Sequence, residues 1–467
     1  MNKNFFSFFV FLFAAKTLFS YQIEQVAGAD YPSNFPKVRI NNLNQGLMVW
    51  SRKKGGVQYS FFNSKKSKFE SALILSETGG SVQLALSDSG LAIVAWTHSS
   101  DVYYRTINLT DKSISPIYNF NLSAQLCSNI SISMNKNNQA ILAFNSGGGV
   151  KGGQIYYANF DSSTAQFSTP NAIGNAIDGN FSPNVKINNL GFALMIWNLG
   201  GSNGGAINFS KKEIGSNTFD PPSAVATRAG ATNFQPILGL NNSSKGVSGW
   251  DAVVQNQVNQ QGDFLFLDFD LDYSSYPSFS SFSTIYPRKG IHVFSDVFLN
   301  DANQGVISFL IIELLLNLDE IMKYKDIDKS SVVKSYIGYA NYNNSQGTFD
   351  APLIIPGTGN LSYLPALGLN QELSGFMAWN TGGTDDGGNI EFSFYGKKSQ
   401  SFSNLISLQG SSYTNVSATF NDKNIGAIAF NDGAKAGGGI YYVIINGFGA
   451  LGQYSRNKLI LQRGYPQ

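Results

Sequence analysis

The sequence predicts an all-β fold: a β-propeller of eight four-stranded blades, with seven as the alternative count. Three observations predict it. One unit recurs eight times along the chain, and the second segment of each unit is apolar on both parities. The composition is also rich in glycine and aromatics and poor in charge, as suits short strands joined by tight turns. The 467 residues include 48 Gly, 13% aromatics and 13% charged side chains, the last about half of the roughly 25% usual in soluble domains. That balance excludes disorder. With 32 Lys+Arg against 30 Asp+Glu, a generally basic nucleic-acid binder is excluded as well.

The repeat is anchored on Trp50, Trp96, Phe144, Trp197, Trp250, Phe309, Trp379 and Phe430. Four residues before each stands Gly or Ala: Gly46, Ala92, Ala140, Ala193, Gly246, Gly305, Gly375 and Gly426. Eight residues before, six of the eight positions are Asn or Asp, with Lys136 and Gln371 as the exceptions.

Each unit reads as four strands. The first alternates, as in Val38/Ile40 and Val185/Ile187. A turn with Asn or Asp follows, since these residues tolerate tight-turn dihedrals. The second strand, such as Phe192 to Trp197, is apolar throughout, so both its faces must be buried. The third carries a Val/Ile-x-Tyr/Phe signature, as in Ile155/Tyr157 and Ile440/Tyr442. The fourth carries Phe-x-x-Pro, as in Phe167/Pro170 and Phe349/Pro352. Proline cannot donate to a ladder and belongs at a sheet edge.

Closure of the ring is also predicted. The eighth unit lacks a Phe-x-x-Pro strand, and Tyr21 to Val26 offers a segment to replace it, with Val26 twelve residues before Val38. Ile173 precedes Val185 by the same interval. The N-terminal segment is therefore expected to supply the outer strand of the last blade, with Lys458 to Leu461 as its rival. Such closure removes free edges.

Residues 1–20 read as a secretory signal: Lys3, an apolar run Phe5 to Ala15, then Ser20. Residues 21–467 then form one domain. Export is expected, to a periplasm or the outside, with no transmembrane segment after signal removal. The lone Cys127 allows no intrachain disulfide and is expected to be a buried, inert thiol.

The spacing Asn/Asp-x3-Gly/Ala-x3-Trp/Phe resembles the tryptophan-docking motif of quinoprotein-like eight-bladed propellers. The resemblance covers most of the chain and implies that Trp50, Trp96, Trp197, Trp250 and Trp379 pack between blades. Phe144, Phe309 and Phe430 occupy the equivalent positions. It implies a fold and does not extend to a quinone cofactor, because quinoprotein dehydrogenases commonly pair adjacent cysteines near the cofactor and this chain has one Cys. Ser87 to Gly90 resembles a fragment of the Asp-box of sialidase-type propellers, but Trp96 lies eight residues after Asp88 instead of five.

Chemistry is sparse. Two histidines, His98 and His292, cannot readily build a triad or a multi-histidine metal site. Gly clusters lie between strands two and three and open with Asn145, Asn198, Asn380 and Asn431. They lead into strands, so they lack the helix a phosphate loop needs. Asn can both donate and accept, which makes these four the candidate ligand-binding residues. Asp268, Asp270 and Asp272 share one strand face, and Ca2+ is the cation their oxygens would suit. The charged stretch 310–335 within the sixth unit carries Leu314, Leu318, Ile321 and Met322 at helical spacing. A short amphipathic helix is expected over about 310–325.

The resulting expectation is an exported, monomeric, non-catalytic propeller that binds a protein or glycan on its loop face. No nucleic acid is expected as a partner. The alternatives are a glycoside hydrolase or lyase with carboxylates at the channel, and an envelope assembly scaffold.

Overall fold

A computed structural model describes residues 21–447 apart from short segments, the longest being 255–261, 271–277 and 315–332. Over 251–292 only strand backbone is described. The chain is all-β, arranged as a β-propeller. Among the described residues no helix is long and apolar enough to cross a membrane.

The third repeat shows how sequence becomes sheet. Its strands are Cys127–Met134, Ala140–Ser146 and Gln154–Asp161, followed by a fourth strand in two pieces, Gln166–Phe167 and Asn171–Ile173. All pair antiparallel in order. Pro170 falls between the two pieces, where it interrupts the ladder at the outer edge. The second strand is buried at every residue, here and in Ala193–Asn198. Neighbouring sheets cover both of its faces, which explains its unbroken apolar run.

Seven sheets are formed among the described residues. Six hold one repeat each and the seventh has eight strands. In that sheet the 15-residue strand Ile406–Phe420 pairs with Gly388–Gly396 at one end and with Ile425–Asp432 at the other. It serves as outer strand for repeat seven and inner strand for repeat eight. Glu24–Ala27 pairs antiparallel with Ile440–Asn446, Glu24 opposite Tyr442, so the N-terminal segment takes the outer edge of the last repeat. The rival segment 458–461 lies outside the described residues.

One expectation fails. The second strand of repeat six runs Gly305–Leu314 and pairs through Leu310↔Ile337 to Leu314↔Val333. Residues 310–314 are therefore strand and not the start of a helix. Leu310 and Ile311 point to opposite faces, and both are buried. Burial on both faces outweighs helical spacing. The rest of the predicted helix lies outside the described residues beyond 314.

Each anchor ring packs against the preceding repeat. Trp96 shares a cluster with Leu47, Val49 and Tyr59. Phe144 meets Ile93 and Val102, Trp197 meets Ile141 and Ile155, and Trp250 meets Phe192 and Leu194. Phe309 meets Val247, Trp379 meets Val306 and Ile337, and Phe430 meets Phe376 and Ile390. Trp50 closes the circle against Ala427 and Ile440.

At the outer rim the third-strand tyrosine accepts a hydrogen bond from the next repeat's fourth-strand Phe. Phe167 N donates to Tyr104 Oη at 3.1 Å and Phe219 N to Tyr157 Oη at 3.2 Å. Phe69 N to Tyr442 Oη, at 3.1 Å, makes the same link across the closure. Tyr442 Oη in turn donates to Glu24 at 2.7 Å.

Candidate functional site

The first strands of successive repeats lie side by side in a closed ring: Ser33–Ile40, Gly80–Leu86, Cys127–Met134, Phe181–Ile187, Ala231–Leu240, Ile291–Leu299, Ala366–Leu369 and Ile406–Phe420. They wall a channel. Strand alternation decides what faces it. Val38 and Ile40 lie in the core between the last repeat and the first, so Lys37 and Arg39 face the channel.

One end of the channel is ringed by turns. Nine residues before each anchor ring stands Asn41, Ser87, Asn135, Asn188, Asn241, Asn300, Asn370 or Asn421, all buried. The Oδ1 of Asn188 accepts from Leu190 N and Phe192 N, both at 3.0 Å, closing its own turn. Its Nδ2 reaches the next repeat, donating to Asn241 O at 3.3 Å. Asn41, Asn135, Asn241, Asn300, Asn370 and Asn421 reach forward likewise, the last from Asn421 Nδ2 to Asn41 O at 2.7 Å. A second ring runs beside it, in which the backbone N–H of one turn donates to the side chain eight residues before the next anchor. Asn189 N to Asn242 Oδ1 at 2.8 Å and Asp422 N to Asn42 Oδ1 at 2.9 Å are examples.

Among the described residues both rings break at the junction between repeats two and three. Ser87 has no amide to donate, and Lys136 has no acceptor to offer. Ser89 Oγ donating to Asn138 Oδ1 at 2.7 Å bridges that junction instead. The Asn nine residues before the anchor is the more regular signal, and sequence analysis passed over it.

The other end is open. Each first strand carries a register shift near this mouth in seven of the eight, for example between Ser128 and Ser131. Left-handed residues mark the bulge: Phe35, Ser81, Asn129, Ser182 and Asn415, with φ from 34° to 53°. A bulge redirects side chains, and here it opens a polar cavity of about 370 Å³. Ser81, Gln83, Asn129, Ser182, Asn184 and Ser295 supply its polar lining.

The four predicted ligand residues lie one layer behind this wall. Asn145, Asn198, Asn380 and Asn431 are all buried at the ends of second strands. Asn145 Oδ1 accepts from Asn129 Nδ2 at 2.9 Å, and Asn431 Oδ1 accepts from Asn415 Nδ2 at 3.0 Å. They brace the bulge that shapes the cavity. Most of the Gly clusters they open lie outside the described residues, as does Asp272. Asp268 and Asp270 sit on Gly262–Asp270, opposite Val247 and Lys245, with their side chains outside the description.

Four charged side chains meet in the channel: Lys37, Arg39, Lys186 and Asp296. Burial pushes Lys37 and Lys186 below the usual lysine range; Arg39 opposes the ammonium of each, while Asp296 favours it. Burial also pushes the Asp296 carboxyl up, against the pull of Lys186 and Arg39. All four remain partly or fully solvent-accessible, as expected of a wet but enclosed passage. Asp296 spends both oxygens on backbone, accepting from Val297 N at 2.9 Å and Leu367 N at 3.3 Å. Neighbouring hydroxyls do the same from one repeat to the next, as with Ser131 Oγ accepting from Val185 N at 3.1 Å.

Cys127 is buried, donates to Ser100 O at 3.2 Å, and has its thiol pushed up by burial. That is an inert environment.

No family model and no curated protein matches the chain. Among solved structures it is similar to the Dos1 propeller, at 11% identity over 92% of this chain and 95% of that one, with a TM-score of 0.51. An ulvan lyase, a polysaccharide lyase, aligns at 10% identity over 77% and 91% with a TM-score of 0.49. A prolyl endopeptidase aligns at 11% identity over 87% of this chain and 55% of that one, also at 0.49. Likeness at these identities concerns the fold alone.

Proposed function

We propose that the chain is an exported eight-bladed propeller that binds a glycan or protein partner, without catalysis, at the open mouth of its channel. The observation that carries this is the polar cavity there, walled by hydroxyl and amide side chains from four repeats. Convergent polar groups around a pocket suit ligand recognition. The count of eight blades is supported by the eight repeats, with the strand Ile406–Phe420 serving two of them. The quinoprotein-like resemblance is supported, for packing only, by the anchor rings seated on their preceding repeats. Export rests on residues 1–20.

A hydrolase of the two-carboxylate kind needs a pair of acids flanking the bond it breaks. Among the described channel residues Asp296 is the carboxylate present, and its oxygens are engaged by backbone N–H groups. This favours binding over hydrolysis. Glycan-array screening of the purified protein tests the reading. Specific binding that Ser182→Trp abolishes, with no cleavage of the bound glycan, is expected. Turnover of a bound glycan would instead install the enzyme alternative.

A further inference from the structure

We infer that the channel is an anion site, in which Lys37, Arg39 and Lys186 take the carboxylate or sulfate group of an acidic saccharide whose rings occupy the polar cavity. This rests on the binding reading above and names its ligand class. Three cations face one carboxylate. Lys37 and Arg39 are two residues apart on one strand, so they share a face. Lys186 comes from repeat four and sits eleven residues before its anchor ring, the same position that Arg39 holds in repeat one.

Among the described residues no ion pair joins any of these cations to a carboxylate. Asp296, whose oxygens accept from Val297 N and Leu367 N, favours the charged form of all three but is a single negative charge against three positive ones. Arg39 Nη1 donates to Val38 O at 2.9 Å, a neutral partner; cations held in a channel without an ion-paired acid create a positive potential focused by low-dielectric walls. Burial disfavours each charge, and a bound anion would restore what water no longer supplies.

The neutral part of the site selects the rest of the ligand. Gln83 and Asn184 present amides that can donate and accept, Asn129 presents its amide oxygen, its Nδ2 being held by Asn145 and Ser128, and Ser81, Ser182 and Ser295 present hydroxyls. These groups match sugar hydroxyls. Phe35 stands at the bulge position of repeat one, equivalent to Ser81, Asn129 and Ser182. It is left-handed at φ 53° and 53% exposed. An exposed ring at that level offers a flat apolar face for the C–H side of a sugar ring.

Titration calorimetry of the purified full chain tests this with a uronate oligosaccharide, a sulfated one, a neutral one of equal length, and poly-glutamate. An acidic saccharide should bind at least about tenfold more tightly than the neutral one, a difference of about 1.4 kcal/mol. Arg39→Gln and Lys186→Gln should each erase that preference while leaving the thermal midpoint within a few degrees. Asp296→Asn should raise acidic-saccharide affinity. The uronate and sulfate arms tell which anion is preferred. Equal binding of acidic and neutral saccharides would overturn the anion inference and leave the binding reading standing. Binding of poly-glutamate alone would overturn the saccharide. If no probe binds, the acidic-saccharide inference fails and the binding reading is left with a protein partner.

Discussion

The two ends of the channel are built from the same repeat and use their polar groups in opposite ways. At the turn end, buried asparagines satisfy their own turn and then the next repeat's, so the ring consumes its donors and acceptors. At the bulge end, equivalent strands are shifted in register, and serines and amides face an open cavity. Three cations in the passage are left without a paired acid. A repeat that closes on itself at one face is free to expose chemistry at the other.

The largest effect should come from removing what both ends share, the anchor rings. Trp197 is fully buried against repeat three, and its Nε1 donates to Asn180 Oδ1 at 2.8 Å. Trp197→Ala should cost about 3–5 kcal/mol, read as a fall in the denaturant midpoint, and should damage both ends together. The turn end alone is probed by Asn188→Ala, which strands two turn N–H groups and a neighbouring carbonyl. A loss of about 2–3 kcal/mol is expected, with saccharide binding retained in the folded fraction. Equal damage to binding would mean the two ends are not independent.

The interrupted junction sharpens the comparison further. Ser87→Asn combined with Lys136→Asn should complete both rings between repeats two and three and stabilise by about 1 kcal/mol. Hydrogen exchange of the turns at 87–91 and 135–139 should slow. No change in either would show that the rings are decorative.

The smallest effect concerns the open end. Burial lowers the proton affinity of Lys186, so its charged form costs the fold. That cost is full below the lowered folded value and disappears as pH rises towards the ordinary 10.5. The facing groups are Lys37, Arg39 and Asp296. Lys186→Met should therefore be more stable than the parent at neutral pH, by on the order of 1 kcal/mol. The gap should close as pH rises towards that value, while the preference for the acidic saccharide is lost throughout. A variant less stable than its parent at neutral pH would mean that Lys186 serves packing instead of a ligand.

Much of the fold is legible in the chain because each repeat must bury the same strand on both faces. The aromatic anchor, the small residue four before it and the Phe-x-x-Pro edge all follow from that single demand. The N-terminal outer strand was legible too, since a missing edge in repeat eight leaves a space of known length. Residues 310–314 misled because apolar residues at helical spacing also suit a strand covered on both sides, and only the pairing Leu314↔Val333 separates the two. The asparagine nine residues before the anchor was visible yet unused. Its neighbour eight before alternates between Asn and Asp and so drew attention as turn chemistry.

Local pattern determines strands, turns and wedges, because the forces that set them act within about a dozen residues. The site is different in kind. Lys37, Arg39, Lys186 and Asp296 look like ordinary solvated strand residues in the sequence, spread over 260 positions. Only closure of the ring brings repeats one, four and six to face each other across a narrow passage. There low-dielectric walls surround the charges and strengthen their mutual influence.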